Sequence, residues 1–353
     1  MTNSAPASLV CPVCGAATVA GDRFCEACGA DLPDADGAAP PDAPDTEAPA
    51  VETPAATAPP CAACGADGSH ILDGYCDVCG MKQPAPRDHI ELTFDGAAGV
   101  SDRGRTHWRN EDAFAISVDG ARAVAVVCDG VSTTANPDKA SQAAADQAVA
   151  VLEGSDQAPP VLLLDAFSAA RSAVEATEGE PSPPDIGWPS CTFLACVVDG
   201  AVVDIAGMGD CRSYWLPAEG DGETLTEDDS WAAEKIAAGE LTAEQAYADP
   251  LSHTITRWLG RDADPEWRPR LFQFTATAAG RLLLCSDGLW NYAQTSAQLA
   301  AAGGDGDPLE LAQRLVTFAK ESGGHDNITA VVIDLPRAEP QEPQEPQEPK
   351  GEA

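Results

Sequence analysis

At 353 residues, the chain has room for two or three domains, of which one can be about 250 residues long. Its 20 Lys and Arg residues against 57 Asp and Glu give a net charge of −37, so phosphate backbones and anionic lipid headgroups are repelled. No apolar run approaches the ~20 residues that cross a bilayer, and residues 1–10 lack the features of a signal peptide, so the sequence predicts a cytoplasmic protein.

The first 85 residues contain eight of the 13 cysteines, arranged as four Cys-x-x-Cys pairs. A gap of two residues lets both thiolates of a pair turn onto one ion, and four thiolates form the closed tetrahedral site typical of structural zinc. The glycine after each pair reaches positive φ without strain, which lets the backbone fold back toward the sulfurs. A thioredoxin-like redox pair needs a surrounding βαβ unit, for which these stretches are too short. The spacing therefore predicts two zinc ribbons with two zinc ions, at residues 8–30 (Cys11, Cys14, Cys25 and Cys28) and 61–85 (Cys61, Cys64, Cys76 and Cys79).

Two properties of the ribbons bear on their function. Each ribbon either closes on itself or exchanges Cys-x-x-Cys pairs with the other, because the spacing allows both. Basic residues are few: Arg23 is alone in the first ribbon, and Lys82 and Arg87 trail the second. Docking of a partner protein is therefore favoured over nucleic-acid binding.

Two segments have a composition that cannot bury a core. Residues 31–60 contain eight prolines, nine alanines and seven acids without any Lys or Arg, which predicts an extended, disordered linker. Residues 337–353 include Gln-Glu-Pro three times and predict a disordered, polyproline-like tail.

Residues 90–336 have the pattern of a globular domain. Five runs rich in Val, Ile and Leu predict strands, and three longer stretches predict helices. The strands are 122–128, 192–198, 201–206, 281–285 and 328–333, and the helices are 138–152, 161–176 and 309–321. Because strands come in successive pairs rather than alternating with helices, an α+β layered fold is favoured over a doubly wound sheet.

Four acidic motifs of this domain lie next to predicted strands or turns. They are Asn110-Glu111-Asp112, Asp129-Gly130, Asp287-Gly288 and Asp326-Asn327. Carboxylates at strand ends can converge at one sheet edge, where they repel one another unless cations lie between them. Oxygen-only ligands suit Mg²⁺ or Mn²⁺ rather than zinc. Four independent turns are the alternative interpretation, and they are less favoured because the motifs adjoin strand ends.

These motifs, in this order, resemble the metal-dependent protein phosphatases of type 2C, the PPM family, over residues 92–333. Three further segments carry the resemblance. They are Gly207-Met-Gly-Asp210-Cys-Arg-Ser, similar to the family's Gly-Asp-Ser-Arg turn, Leu225-Thr-Glu-Asp-Asp, similar to its Leu-Thr-x-Asp segment, and Ile255-Thr-Arg-Trp-Leu-Gly260, where its flap ends. The resemblance implies a four-layer α-β-β-α sandwich, here preceded by two small zinc ribbons, and hydrolysis of phosphoserine and phosphothreonine in proteins.

The resemblance also implies ligands for two Mn²⁺ or Mg²⁺ ions. Asp129 would bridge both ions, aided by the Gly130 carbonyl. Asp287 and Asp326 would complete the shell of the first ion, and Glu111 would hold the second, largely through water. Two such ions acidify a bridging water, which supplies hydroxide for in-line attack on phosphorus.

Supporting positions can be assigned in the same way. Asp112 and Asn327 would support the site. Asp210 would help to hold a third ion, but the aspartate that assists it in the family is Asn291 here, so a third ion is expected to be held weakly. The family's glycine-rich segment after the bridging aspartate is Val131-Ser-Thr-Thr134 in this chain.

The phosphate-binding arginine of the bacterial pattern is replaced by His107. Besides His107, Arg105 and Arg109 are candidate phosphate clamps, since in a strand they would share its face. No departure removes a ligand of the two-ion pair, so the sequence predicts an active enzyme whose ribbons dock a protein. Two alternatives remain open. They are a pseudophosphatase that binds phosphoproteins without turnover because of His107 and Asn291, and a nucleic-acid binder, which the charge disfavours.

Overall fold

The computed structural model describes residues 59–72, 74–179 and 186–337, together with two short strands closer to the N-terminus. The chain divides into two compact units, Met1–Thr57 and Ala58–Ala353. In the first unit, β1 (Leu9–Val10) pairs antiparallel with β2 (Ala17–Thr18). Outside the described residues lie the predicted linker up to residue 58, the predicted tail from residue 338, and all four cysteines of the first predicted ribbon, Cys11, Cys14, Cys25 and Cys28.

The second unit begins with the second predicted ribbon, residues 61–85, which we call the cysteine module. It contains a two-stranded hairpin of β3 (Ile71–Leu72) and β4 (Tyr75–Cys76). The glycine after each Cys-x-x-Cys pair has positive φ, +72° at Gly65 and +73° at Gly80, as the sequence predicts. Each of these glycine amides donates to the carbonyl of the first cysteine of its pair, at 2.9 and 2.7 Å. Both pairs therefore form tight turns.

Two antiparallel sheets follow the cysteine module. Their strands, with one additional short pair, are β5 (His89–Phe94), β6 (Ala97–Asp102), β7 (Ala113–Asp119), β8 (Arg122–Cys128), β9 (Ser190–Cys191), β10 (Phe193–Asp199), β11 (Val202–Met208), β12 (Arg212–Pro217), β13 (Glu223–Thr224), β14 (Leu259–Gly260), β15 (Arg270–Thr275), β16 (Gly280–Cys285) and β17 (Ile328–Leu335). One sheet has the order β15-β11-β10-β8-β7 and the other the order β13-β12-β16-β17-β6-β5, while β9 pairs with β14.

Helices cover the outer face of each sheet. They are α1 (Pro137–Leu152), α2 (Pro159–Ala176), α3 (Trp231–Ala237), α4 (Ala243–Tyr247), α5 (Asp287–Trp290), α6 (Ser296–Gly303) and α7 (Pro308–Glu321). The first two pack on the five-stranded sheet and the last three on the six-stranded sheet, whereas α3 and α4 lie in the connection between β13 and β14. In the described part of the chain, no helix combines the length and apolarity needed to cross a membrane.

The burial pattern along the strands explains the layering. Successive side chains of a strand point to opposite faces, so Leu283 packs with the helices α5–α7 while Leu282 and Leu284 face the other sheet. Three apolar clusters result, one under α1 and α2, one between the sheets and one under α5–α7. The four-layer α-β-β-α sandwich expected from the sequence is therefore confirmed.

Candidate active site

Five acidic side chains lie just outside strands at one end of the sandwich. Glu111 precedes β7, Asp129 follows β8, Asp210 lies between β11 and β12, Asp287 follows β16, and Asp326 precedes β17. The sheet register brings three of these strand ends together, because Cys285 at the end of β16 pairs with the first residue of β12 and with Ala330 of β17. The five residues come from both sheets, so the site lies where the two sheets meet.

Burial and neighbouring carboxylates raise the pKa values of three of these residues, Asp129, Asp210 and Asp287. Burial raises the pKa of Asp129 well above its ordinary value, and the carboxylates of Asp112, Asp287, Asp326 and Asp210 raise it further. The pKa of Asp287 is raised in the same way, first by burial and then by three of those neighbours. Burial raises the pKa of Asp210 to about 7. Buried carboxylates that repel one another stay ionised only when cations neutralise them.

The oxygen atoms of the cluster fit divalent cations. Among the described residues, no donor reaches Oδ1 of Asp287 or Oδ1 of Asp112, although both atoms are buried. A buried carboxylate oxygen without a donor destabilises the fold, and ligation to a cation removes that penalty. All the acidic donors are oxygens, which Mg²⁺ and Mn²⁺ prefer. The donor set therefore suits these ions rather than zinc.

The backbone after Asp129 requires a glycine. A Cβ atom on Gly130 would lie 2.6 Å from the Pro137 carbonyl oxygen and 2.7 Å from the Glu111 carbonyl oxygen, distances that real side chains do not adopt. The Gly130 amide instead donates to that Glu111 carbonyl at 3.2 Å. This close approach fixes the distance between the Asp129 and Glu111 segments.

The Glu111 carboxylate is held by two donors. Arg109 Nε donates to Oε1 at 2.8 Å, and Ser132 Oγ donates to Oε2 at 2.5 Å. Arg109 also pairs with Asp138 at the start of α1, with 3.0 Å between Nη1 and Oδ1. Ser132 belongs to the segment 131–134 that replaces the family's glycines, so its hydroxyl gives this departure a role in orienting Glu111.

His107 lies beside two of the acidic residues. Its Nε2 is 3.2 Å from Oδ1 of Asp326, its Nδ1 is 3.8 Å from Oε2 of Glu111, and its side chain is 23% exposed. Residues 103–112 form a loop with a turn, not a strand. The expectation that Arg105 and Arg109 share a strand face with His107 is therefore wrong, because Gly104, at φ +71°, turns the chain away from an extended conformation.

Asp112 and Asn327 hold the loop of residues 103–112 in place through hydrogen bonds. Asp112 Oδ2 accepts hydrogen bonds from Ser286 Oγ and Thr329 Oγ1, both at 2.7 Å. The Asn327 amide donates to the carbonyls of Arg103 and Arg109, at 2.9 and 3.0 Å, and its Oδ1 accepts from the Glu111 amide at 2.7 Å. Asn327 thus holds the backbone of the loop around Glu111, and Asp112 links the loop to the segments next to Asp287 and Asn327.

Arg87 is a positioning residue that the sequence analysis missed. Its Nε donates to the Asn110 carbonyl at 3.0 Å, and its Nη2 donates to the Asp112 carbonyl at 2.8 Å and to Ser141 Oγ at 3.2 Å. The guanidinium thus bonds both sides of Glu111. No sequence motif marks it, because the contacts join it to an irregular loop more than 20 residues away.

The Asp210 turn is stabilised by a buried ion pair. Arg212 binds Asp228 through Nε–Oδ1 and Nη2–Oδ2 bonds of 2.9 and 2.7 Å, and its guanidinium lies 3.6 Å from the Trp290 ring centroid. The Trp290 indole donates to the Asp210 carbonyl at 2.8 Å. Two of the segments that carry the family resemblance, 207–213 and 225–229, therefore meet at this turn. Next to Trp290, Asn291 Nδ2 donates to Oδ2 of Asp287 at 3.3 Å.

In the cysteine module, the four thiols of Cys61, Cys64, Cys76 and Cys79 come together. Their sulfurs all lie within 4.8 Å of one another, with 3.7 Å for the pair from Cys61 to Cys79 and for the pair from Cys64 to Cys76. This module therefore closes on itself rather than exchanging pairs. Four converging sulfurs form the donor set that structural zinc prefers.

Comparison with known proteins gives one family. The family model described as protein phosphatase 2C matches residues 102–318. The serine/threonine protein phosphatase PstP of Mycobacterium tuberculosis is 33% identical over 239 residues, which are 67% of this chain and 44% of that protein. This chain therefore spans less than half of the length of that relative.

Two solved structures show the same likeness. The PPM Ser-Thr phosphatase MsPP from Mycobacterium smegmatis, in complex with cacodylate, is 31% identical, with a TM-score of 0.58 over 69% of this chain and 100% of that chain. The catalytic domain of the serine threonine protein phosphatase PstP, in complex with two manganese ions, is 27% identical, with a TM-score of 0.55 over 68% of this chain and 97% of that chain.

Proposed function

The chain belongs to the protein phosphatase 2C family, and we propose that it is a metal-dependent phosphatase acting on phosphoserine and phosphothreonine in proteins. The observation that carries this proposal is the meeting of acidic strand ends from both sheets at one end of the sandwich, where Glu111 and Asp210 are buried and Asp129, Asp287 and Asp326 are half-buried. The similar proteins support it, since they are serine/threonine phosphatases and one of them was crystallised with two manganese ions.

In this proposal Asp129, Asp287 and Asp326 hold a pair of Mn²⁺ or Mg²⁺ ions, with the Gly130 carbonyl as a further ligand and Glu111 acting through water. When bound, the ions supply hydroxide near neutral pH and neutralise charge on the phosphoryl group. The chain itself positions Glu111, because its carboxylate accepts hydrogen bonds from Arg109 and Ser132 and its backbone amide donates to Asn327. A ligand that is already held in place loses less conformational freedom when an ion binds.

Asp210 is proposed to hold a third ion weakly. Its carboxylate is buried next to the cluster. The position expected to assist it is the neutral Asn291, whose amide already donates to Asp287. An amide offers less negative charge to a cation than a carboxylate does, so a third ion is bound less tightly.

His107 is proposed to contact the phosphate, and Arg109 to orient Glu111. Both side chains are 23% exposed, but the Arg109 guanidinium pairs closely with Glu111 and Asp138, at 2.8 and 3.0 Å, whereas His107 lies farther from its two carboxylates, 3.2 Å from Asp326 and 3.8 Å from Glu111. On this assignment His107→Ala raises KM for a phosphate substrate, while Arg109→Ala mainly lowers kcat. The opposite pattern would exchange the two roles.

The cysteine module is proposed to bind one structural zinc ion, and residues 8–30 a second by the same spacing. The four thiols of the module lie on tight glycine turns and match a closed site with no open ligand position. Both ribbons are proposed to serve contacts with proteins rather than chemistry, because their donor sets leave no position for a substrate.

A hydrolysis assay tests the proposed activity. Full-length protein is incubated with an aryl phosphate and with a phosphothreonine peptide, in Mn²⁺, in chelator, and in chelator followed by Mn²⁺. We expect turnover to be lost with chelator and restored by Mn²⁺, because every proposed catalytic ligand is an oxygen. Full activity in metal-stripped protein contradicts the proposal. Phosphopeptide binding without turnover in any divalent cation would favour the pseudophosphatase alternative.

A further inference from the structure

The cysteine module contacts the loop that carries His107 and Glu111. Lys82, three residues after Cys79, donates from Nζ to the Trp108 carbonyl, and its Nζ lies 5.1 Å from the Trp108 ring centroid. Trp108 is the residue next to His107, so its Cα lies about 3.8 Å from that of His107. The module therefore reaches the edge of the candidate active site.

Lys82 is fixed to the thiol cluster through its neighbours. It forms a β-bridge with Tyr75, and the next residue, Gln83, donates from Nε2 to the Cys61 sulfur at 3.3 Å and accepts from the Ala62 amide at 2.8 Å. The position of Lys82 thus depends on the folded module. The module and the loop form one continuous surface.

Lys82 supplies this surface with a cation that favours an anionic ligand. The guanidinium carbon of Arg109 lies 4.4 Å from the Trp108 ring centroid, but this guanidinium is already paired with Glu111 and Asp138. Lys82, in contrast, forms no ion pair with any described carboxylate, in a chain whose net charge is −37. An ammonium group without a carboxylate partner at the edge of a phosphatase site attracts acidic residues of a substrate.

The module also exposes apolar side chains beside Lys82. Leu72, Tyr75, Val78 and Met81 are 51–60% exposed, and Trp108 is 60% exposed. These are five of the ten large apolar side chains that are exposed in the described residues, and four of them fall within ten residues. Such a concentration marks an interaction surface rather than scattered exposure.

We propose that Lys82, Trp108 and the exposed apolar residues of the module form a docking surface for the polypeptide that flanks the phosphorylated residue of the substrate. We call this surface the module face; it comprises Leu72, Tyr75, Val78, Met81, Lys82 and Trp108. Its ligand is a segment with acidic and apolar residues on one side of the phosphoserine or phosphothreonine. The proposal rests on the proposed phosphatase activity, because the module face begins beside His107.

The test compares three substrates of the full-length, Mn²⁺-loaded protein. They are a phosphothreonine peptide with Glu and Leu flanks, a peptide of equal length with Gly and Ser flanks, and an aryl phosphate. The variants are Lys82→Met, which keeps an unbranched side chain without the charge, and Val78→Ser. Matched controls are Lys235→Met, whose Nζ lies 6.0 Å from the Trp231 ring, and Val161→Ser, a 52% exposed valine on α2.

We expect wild-type protein to prefer the Glu/Leu peptide. Lys82→Met and Val78→Ser should each raise KM for that peptide about tenfold, a change of about 1.4 kcal/mol in binding. Both should leave kcat/KM for the aryl phosphate within about twofold, since the chemistry does not need the module face. The two control variants should leave the rates on all three substrates unchanged.

Three outcomes would overturn the module face. The first is an equal loss on all substrates, which would make Lys82 only a support of the loop. The second is no preference between the peptides. The third is a dimer of the active protein, seen by sedimentation, that Val78→Ser dissociates. If wild-type protein hydrolyses nothing, the activity proposal fails by itself. Titrating the Glu/Leu peptide against wild type and Lys82→Met then decides the docking proposal, with tighter binding to wild type supporting it and equal binding refuting it.

Discussion

The thiol cluster and the carboxylate cluster are built in opposite ways. The four thiols come from 19 consecutive residues, Cys61 to Cys79, and are brought together by two glycine turns and one hairpin. The carboxylates come from segments as far apart as Glu111 and Asp326, and they meet only because strands of two sheets end at the same place. A site built from neighbouring residues can be predicted from their spacing in the sequence. A site that the topology assembles from distant segments can be located only when the fold is known.

The two regions also differ in what holds them together. The sandwich has three apolar clusters of buried side chains, so we expect it to fold without a bound ion, although an ion would stabilise it further. The cysteine module leaves its larger apolar residues exposed and has no comparable cluster among the described residues. A module of this size is expected to need the proposed zinc ion in order to fold, whereas the proposed Mn²⁺ or Mg²⁺ ions are expected to be needed only for function.

The largest expected effect is that of Asp287→Asn on turnover. Removal of one ligand carboxylate should lower kcat for an aryl phosphate by about 10³-fold in Mn²⁺, the order expected when a group acts directly on the transition state. In chelator, the same variant should have a higher melting temperature than wild type. The reason is that the raised pKa of Asp287 makes the ionised carboxylate destabilising at neutral pH.

Kinetics with thermal unfolding checks both halves of that prediction. Asp334→Asn is the control, since Asp334 lies at the far end of the six-stranded sheet, paired with Arg281 at 3.1 Å. It should keep full turnover. A variant at position 287 that retains wild-type turnover, or that melts earlier than wild type in chelator, would contradict the carboxylate-cluster model.

Arg87→Ala tests whether the arginine that follows the cysteine module positions the acidic loop. Loss of its bonds to the Asn110 and Asp112 carbonyls should shift Glu111, and we expect kcat to fall about 10- to 100-fold and the Mn²⁺ requirement to rise. Arg281→Ala, at the opposite end of β16, should do neither. An Arg87→Ala variant whose Mn²⁺ dependence matches wild type would show that the remaining contacts, those of Asn327, Arg109 and Ser132, hold the loop without Arg87.

Cys76→Ser should show that folding of the cysteine module is not required for hydrolysis of an aryl phosphate. Wild-type protein is expected to contain two zinc ions and the variant one, because three thiols and a hydroxyl hold zinc poorly. Aryl phosphate turnover should change by less than about threefold, since Arg87 lies outside the thiol cluster. Cys196→Ala, in the cluster between the sheets, should retain both zinc ions. Metal analysis that finds no zinc in the wild type would contradict this prediction.

The same contrast explains what could be predicted from the sequence. The strand at residues 122–128 was predicted with its observed ends because it is a continuous apolar run, and α7 was predicted to within one residue, its start being fixed by the Asp307 cap and Pro308. The edge strand β5 and the alanine- and glycine-containing β6 were missed, since neither has a strong run of branched residues. The roles of Arg87 and Ser132 were also missed, because they depend on which loops the fold places side by side.

The smallest expected effect concerns a carboxylate that the chain itself neutralises. Asp102 accepts hydrogen bonds from Lys320 Nζ and His89 Nδ1, both at 2.7 Å, and from the Gly104 amide at 2.9 Å. Burial opposes ionisation of Asp102, but these donors outweigh it and its pKa is lowered, the reverse of Asp287. Burial also opposes ionisation of His89, which for a histidine lowers the pKa. The hydrogen bonds and charges of Glu91 and Asp102 outweigh this effect, and the pKa of His89 is raised.

The sign of the pH dependence follows from the raised pKa of His89. Its stabilising contribution is complete below the unfolded pKa of about 6.5 and is lost as pH rises through the higher folded value. Because the ring is half exposed, we expect the free energy of unfolding to fall by only a few tenths of a kcal/mol between pH 6 and pH 8.5, and by less in high salt. Urea unfolding of wild type and His89→Gln measures this, since the acidic cluster contributes equally to both and cancels in the difference. A difference between the two proteins that stays constant over this pH range would show that the His89–Asp102 pair contributes nothing through charge, and that Lys320 alone neutralises Asp102.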